Sequence, residues 1–218
     1  MSCQSVCVMT DDDCPICLDT MTPPFALRQC KHRFHAPCVL KSMDVYLANY
    51  GTEWQTVPCP ICKQRISYHC ILEDCIRKCH VDDVKQIVHP RNLFTECHLG
   101  HSLVHIAAAA GKLETVQYLV QQGLPPDTFN TFGLTPAYLA AVGGHTKVVQ
   151  YLVENHRANI HCESMFGATM LNAAIEYRHH DMVEYLKQKG ARLGSDNKVD
   201  FKHIETNSLL VKAIQRLL

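Results

Sequence analysis

From Tyr68 onward the apolar residues fall at helical spacing, and one arrangement of them returns three times. Gly100–Ala108 reads GHSLVHIAA, Gly133–Ala141 reads GLTPAYLAA and Gly167–Ile175 reads GATMLNAAI, so the leading glycines stand 33 and 34 residues apart. Each stretch is followed by a second matching one: TVQYLV from Thr115, VVQYLV from Val148 and MVEYLK from Met182. The pattern predicts, in every unit, a turn, a short Ala-rich helix, a Gly or polar turn and a second helix. The extra residue of the second unit falls near Glu154–His156, at a helix end that tolerates insertion. Glu73–Val88 aligns with the helix pair of the first unit without its Gly-x-Thr-Pro start, and TNSLLVKAI from Thr206 begins another unit. Three full repeats between two partial, capping ones are expected, because a single unit cannot cover its own apolar face.

These units resemble the ankyrin repeat, whose T-P-L-H-x-A signature stands here as Thr135, Pro136, Ala137, Tyr138, Leu139 and Ala140. The first unit keeps the signature His as His105 but has Ser102 and Leu103 for Thr-Pro; the third has Met170 and Asn172 at the Pro and His positions. The resemblance implies an all-α solenoid in which His105 is a hydrogen-bonding core residue. It also implies that proteins bind at the turn tips, here Phe129, Asn130, Thr131 and Phe132, then Met165 and Phe166. Packing of these side chains between repeats is the equal alternative.

Before about Ser67 the grammar differs. This stretch has several Pro and few amphipathic runs, and it cannot bury a sizeable core without staples. The whole chain has 218 residues, 13 Cys and 14 His, with eleven of the Cys before position 80. An odd count concentrated in one stretch, with no basic and apolar leader visible at the start, favours metal over disulfide. Twenty-one basic and 21 acidic residues balance, which removes the electrostatic footprint of a nucleic-acid binder, and no apolar run is long enough to span a bilayer. The expected setting is intracellular and cytoplasmic, with the nucleus, or a host cell's cytosol for a bacterial effector, as alternatives.

Eight ligands stand in the order Cys14, Cys17, Cys30, His32, His35, Cys38, Cys59 and Cys62, enough for two tetrahedral sets. The series resembles the RING finger in its variant with two central histidines; a PHD finger would place Cys at the fourth ligand. The resemblance implies two interleaved zinc sites, with Cys14, Cys17, His35 and Cys38 on one ion and Cys30, His32, Cys59 and Cys62 on the other. It further implies a ubiquitin ligase that forms no covalent intermediate and docks a ubiquitin-charged conjugating enzyme. By that likeness Ile16 and Pro60, between paired ligands, are docking residues, and simple filling between zinc loops is the plainer reading. Lys63, directly after the last ligand, falls where many RINGs have a basic residue that contacts both ubiquitin and the conjugating enzyme; a solvated surface lysine is the equal alternative. The usual groove Trp is missing, with Ser42 and Met43 at its place, so Met43 and the single Trp, Trp54, are added as docking candidates. For Trp54, packing within the small core is the competing reading.

Seven Cys lie outside the ligand series. Cys70, Cys75 and Cys79, with His69 and His80, raise the question of a third metal, but their spacing suits one helix face and buried packing. The expected organisation is a tail at 1–10, an α+β RING domain at 11–67, a partial repeat at 68–98, three ankyrin repeats at 99–193 and a partial repeat at 194–218. The expected function is a RING-type ubiquitin-protein ligase that selects protein substrates with its repeats. The alternative is a non-enzymatic adaptor that uses the RING for dimerisation or docking.

Overall fold

The computed structural model describes residues 13–21, 24–27, 30–50, 56–89, 92–94 and 97–194. The expected tail, Trp54 and all but the first residue of the C-terminal partial repeat lie outside them. Two antiparallel pairs of two-residue strands come first: β1 (Phe25–Ala26) with β2 (Arg33–Phe34), and β3 (Val57–Pro58) with β4 (Arg65–Ile66). Between the pairs runs α1 (Ala36–Tyr50). Strands this short are far below the length that sustains a free-standing sheet. They are held by a compact set of buried side chains, among them Leu27, Phe34, Val39, Leu40, Val57 and Ile66.

The remaining described chain is four helix pairs: α2 (Tyr68–Lys78) with α3 (Val81–Ile87), α4 (Leu103–Ala109) with α5 (Leu113–Gln121), α6 (Pro136–Val142) with α7 (Thr146–His156), and α8 (Met170–Glu176) with α9 (His180–Gln188). The first helices stack as α2, α4, α6 and α8, each packed on the next or on its own partner. Every residue of α4 and of α6 is buried, which their Ala-rich sequences permit because small side chains let neighbouring helices approach. The second helices are amphipathic and bury one stripe, such as Val116 and Leu119 on α5 and Val148, Val149 and Leu152 on α7.

The starts of the first helices are capped by side chains. Thr135 Oγ1 accepts the Tyr138 N–H, and Pro136 sits at the first helical position, where its missing donor is not needed. Thr169 and Asn172 form a reciprocal capping box, and Ser102 with His105 forms the same arrangement with a ring in place of the amide. Histidines also bridge successive repeats. His145 Nε2 donates to the Ala109 carbonyl at 3.0 Å and His179 Nε2 donates to the Val142 carbonyl at 2.8 Å, satisfying carbonyls at the ends of α4 and α6. The His145 ring lies so close to Gly111, at φ +69°, that a Cβ there would stand 2.5 Å from it. Glycine is needed at that turn for both the backbone conformation and the space.

His105 is fully buried. Its Nδ1 accepts the Ser102 N–H at 3.1 Å and its Nε2 donates to the Leu134 carbonyl at 3.1 Å. A second proton would set Nδ1–H against the Ser102 N–H, and burial holds the pKa down at about 4 from the usual 6.5. The unfolded chain therefore binds more protons than the folded one between these values, so stability is full above pH 6.5 and falls as pH drops towards 4. From pH 7 to pH 5 this position should remove about 2 kcal/mol of stability, whereas His105→Asn, which copies Asn172, should lose none on its account. Urea unfolding of both proteins at the two pH values measures the difference.

Candidate metal centre

One backbone turn is used three times to present ligands. In Cys14–Asp19 the Leu18 N–H donates to the Cys14 carbonyl (2.8 Å) and the Cys14 N–H to the Asp19 carbonyl (2.9 Å). Leu27–His32 repeats this through Lys31 (2.8 and 3.0 Å), and Cys59–Gln64 through Lys63 (3.0 and 2.8 Å). In each turn the fifth residue is left-handed: Leu18 at φ 68°, Lys31 at 64° and Lys63 at 61°. The first and fourth positions of the first and third turns are the paired cysteines. In the middle turn Leu27 takes the first position, Cys30 the fourth and His32 the sixth.

The turns bring together two groups of side chains. Cys14, Cys17, His35 and Cys38 form one, Cys30, His32, Cys59 and Cys62 the other, and within each the ligand atoms lie within 4.8 Å of one another. That span suits a tetrahedral shell with Zn–S of about 2.3 Å. The two groups interleave along the chain, as the resemblance implied. His35 Nε2 donates to the Thr20 carbonyl at 3.2 Å, leaving Nδ1, 3.2 Å from Cys17 Sγ, as its free ligand atom. His32 turns the same nitrogen to Cys59 Sγ, at 3.7 Å.

The chemistry of the donors calls for a cation. Burial, aided by the neighbouring thiols, pushes the Cys38 thiol up to about 12 and the Cys30 thiol up to about 11. Burial raises Cys14 as well, but hydrogen bonds from the His35, Cys17 and Ile16 backbone prevail and lower it to about 7. The three thiols within each set lie too close to ionise together unaided; a divalent metal ion holds them as thiolates and releases their protons. Two zinc ions fit the two sets.

A family model described as "Ankyrin repeats (3 copies)" matches residues 72–164 and 104–198, together more than half of the chain. A second, "Zinc finger, C3HC4 type (RING finger)", matches residues 14–62. The chain belongs to the ankyrin-repeat family and carries a RING finger at its N-terminus. His35 stands where the C3HC4 formula has a cysteine. The chain is 38% identical over 55 residues to the E3 ubiquitin-protein ligase RMA3 of Arabidopsis thaliana; this stretch is 25% of the chain and 22% of the length of that relative.

Around the RING ligands, the expected docking residues fall in different places. Ile16 is exposed (39%) at the tip of the first zinc loop, and Pro60 is partly buried in the third. Lys63 is exposed, and its ammonium donates to the Pro60 carbonyl at 2.9 Å. Met43 is 1% exposed: it points into the core from α1 and offers no surface to a partner. Leu18 (59% exposed) and Ile61, also exposed, were not singled out from the sequence; they extend the apolar area of the same two loops. Among the described residues the two zinc sets are the only metal-ligand clusters. Cys75 is buried on α2, while Cys70 of the same helix and Cys79 just after it are partly buried.

At the repeat tips Phe129, Met165 and Phe166 are exposed, while Phe132 is partly buried against the core. Asn130 is buried, and its Oδ1 accepts the Phe132 and Leu134 N–H groups, both at 2.9 Å, so it shapes the tip from inside. Thr131 donates through its hydroxyl (2.8 Å) and its N–H (3.2 Å) to the Leu99 carbonyl of the preceding tip. Among the described residues no helix is long and apolar enough to cross a membrane.

Each zinc site of this type is worth roughly 10–16 kcal/mol, comparable with the whole stability of a domain. Because the two sets share the segment from Cys30 to Cys38, Cys59→Ala should reduce bound zinc from two per chain to less than one, and not merely to one. Native mass spectrometry reads the stoichiometry; independent sites would leave one zinc in place.

Proposed function

We propose that this chain is a RING-type ubiquitin-protein ligase. It docks a ubiquitin-charged conjugating enzyme through the tips of its first and third zinc loops and selects a protein substrate with its ankyrin repeats. The observation that carries the reading is a complete pair of interleaved ligand sets with apolar side chains, Ile16, Leu18 and Ile61, exposed at the loops they brace. The likeness to a plant E3 ubiquitin-protein ligase over 55 residues supports it.

Zinc supplies no acid, base or nucleophile in this scheme; it holds the loops in shape. The residues of the chain act by position. Ile16, Leu18 and Pro60 present a small apolar surface to the conjugating enzyme, and Lys63 presents a cation beside it. Restricting the thioester-linked ubiquitin raises the effective molarity of the attacking lysine and needs no covalent intermediate on this chain. The exposed Phe129, Met165 and Phe166 form the candidate substrate surface, since apolar area of this kind at successive tips favours a protein partner.

One observation favours a second reading, a non-enzymatic adaptor. The Lys63 ammonium is already engaged by the Pro60 carbonyl, and a lysine lacks the planar fork with which arginine bridges two partners.

An autoubiquitination assay with a panel of conjugating enzymes separates the two. Under the ligase reading chains form with at least one enzyme, and Ile16→Ala lowers their rate by about tenfold or more, the loss of roughly 1.4 kcal/mol of docking, with zinc content unchanged. Absence of chains across the panel, with two zinc ions bound, favours the adaptor.

A further inference from the structure

Asp44 belongs to α1 of the RING, yet both of its carboxylate oxygens are occupied from the repeat side. Oδ1 accepts the Tyr68 hydroxyl proton at 2.8 Å, and Oδ2 accepts from His89 Nε2 at 3.0 Å. Asn92 closes the network. Its Nδ2 donates to the Tyr68 hydroxyl oxygen at 3.2 Å and to the Ile87 carbonyl at 2.9 Å, and its Oδ1 accepts the His89 backbone N–H at 2.9 Å. Tyr68 and Asn92 are fully buried.

An apolar seam surrounds this network. Val39, Leu40, Met43 and Leu47 are buried on α1, which packs against α2 and α3. Helix α2 has α1 on one side and α4 on another, and six of its eleven residues are buried in consequence. At its far end the Lys78 ammonium lies 5.9 Å from the centre of the Phe25 ring on β1. Helix α1 thus fills the place that a preceding repeat would fill, and the RING caps the N-terminal end of the stack.

Apolar contact alone permits sliding, whereas hydrogen bonds have direction. A rotation of α1 that broke the Asp44 contacts would leave a buried hydroxyl and a carboxylate short of partners, and that penalty selects one orientation. We propose that Asp44 is a positioning residue: by anchoring Tyr68 and His89 it fixes the RING on the repeats as one rigid body and so determines which lysines of a bound protein come within reach. The consequence for substrate choice rests on the ligase reading above; the rigid junction does not. The substrates implied are folded proteins whose acceptor lysine lies at a set distance from the segment held by the repeat tips.

The test uses the full, zinc-loaded chain as wild type, Asp44→Ala and Asp44→Asn. Three quantities are read: amide hydrogen exchange, discharge of ubiquitin from a charged conjugating enzyme to free lysine, and the set of lysines modified on the chain itself. In Asp44→Ala, exchange in Met43–Leu47 and Val84–Ile87 should rise by about fivefold or more. Discharge to free lysine should stay within about twofold, because the repeats take no part in it, and the set of modified lysines should widen. Asp44→Asn, which still accepts from Tyr68, should restore the wild-type exchange and lysine set. Unchanged exchange and an unchanged lysine set in Asp44→Ala would overturn the proposal. If wild type discharges no ubiquitin with any enzyme, the ligase reading fails, and exchange alone decides the junction. Should Asp44→Ala lose zinc, Tyr68→Phe removes the hydroxyl that Asp44 Oδ1 accepts and carries the same test.

Discussion

The stability of residues 13–66 depends on metal coordination in the place of a large apolar core. Strands two residues long and one helix provide little burial, and each zinc turn asks a non-glycine residue, Leu18, Lys31 or Lys63, to sit in the left-handed region at about 1–2 kcal/mol. Coordination worth roughly 10–16 kcal/mol per site offsets that strain several times over. It also frees the loop tips from any duty in the core. Ile16, Leu18 and Ile61 can stand in solvent because nothing in the fold requires them to be buried, which is the condition a docking surface must meet.

The features legible in the sequence were those with a local period or a fixed spacing. A repeat of 33 or 34 residues declares itself because every unit must bury the same stripe, and eight ligands declare themselves because thiolates and imidazoles have few other reasons to keep such spacing. Facing was harder to read. Met43 and Val45 are two residues apart on α1, and only the packing of that helix against α2 and α3 makes the first buried and the second exposed. Asn130 looked like a tip residue by position, but an amide that can accept two backbone N–H groups shapes a turn from inside. The middle zinc turn was hidden because Leu27 takes the position that cysteine occupies in the other two, and hydrogen bonds alone reveal that the three are alike.

Among the described residues the histidines outside the zinc sites form no catalytic constellation, and several serve the stack instead. His145 and His179 each cross from one repeat to the last carbonyls of the one before, and His105 crosses forward to Leu134. A solenoid has no contacts between distant units, so its rigidity is the sum of such neighbour links. The links join residues 29 to 37 positions apart, a separation at which sequence has no pattern to show beyond the repeat itself.

The same neighbour logic extends across the boundary between the two halves. A flexible linker would let the RING sample many distances from a protein held by the repeats, and its effective concentration at any one lysine would fall with linker length. Here β4 ends at Ile66 and α2 begins at Tyr68, so no linker exists to sample anything. The buried set runs without a break from Cys14 through Met43 and Tyr68 to Leu186. Zinc holds the loops that seat α1, α1 covers α2 and α3, and these cover the first full repeat. A shift of α1 therefore bears directly on the junction, where Asp44, Tyr68, His89 and Asn92 concentrate the polar contacts that apolar packing cannot replace.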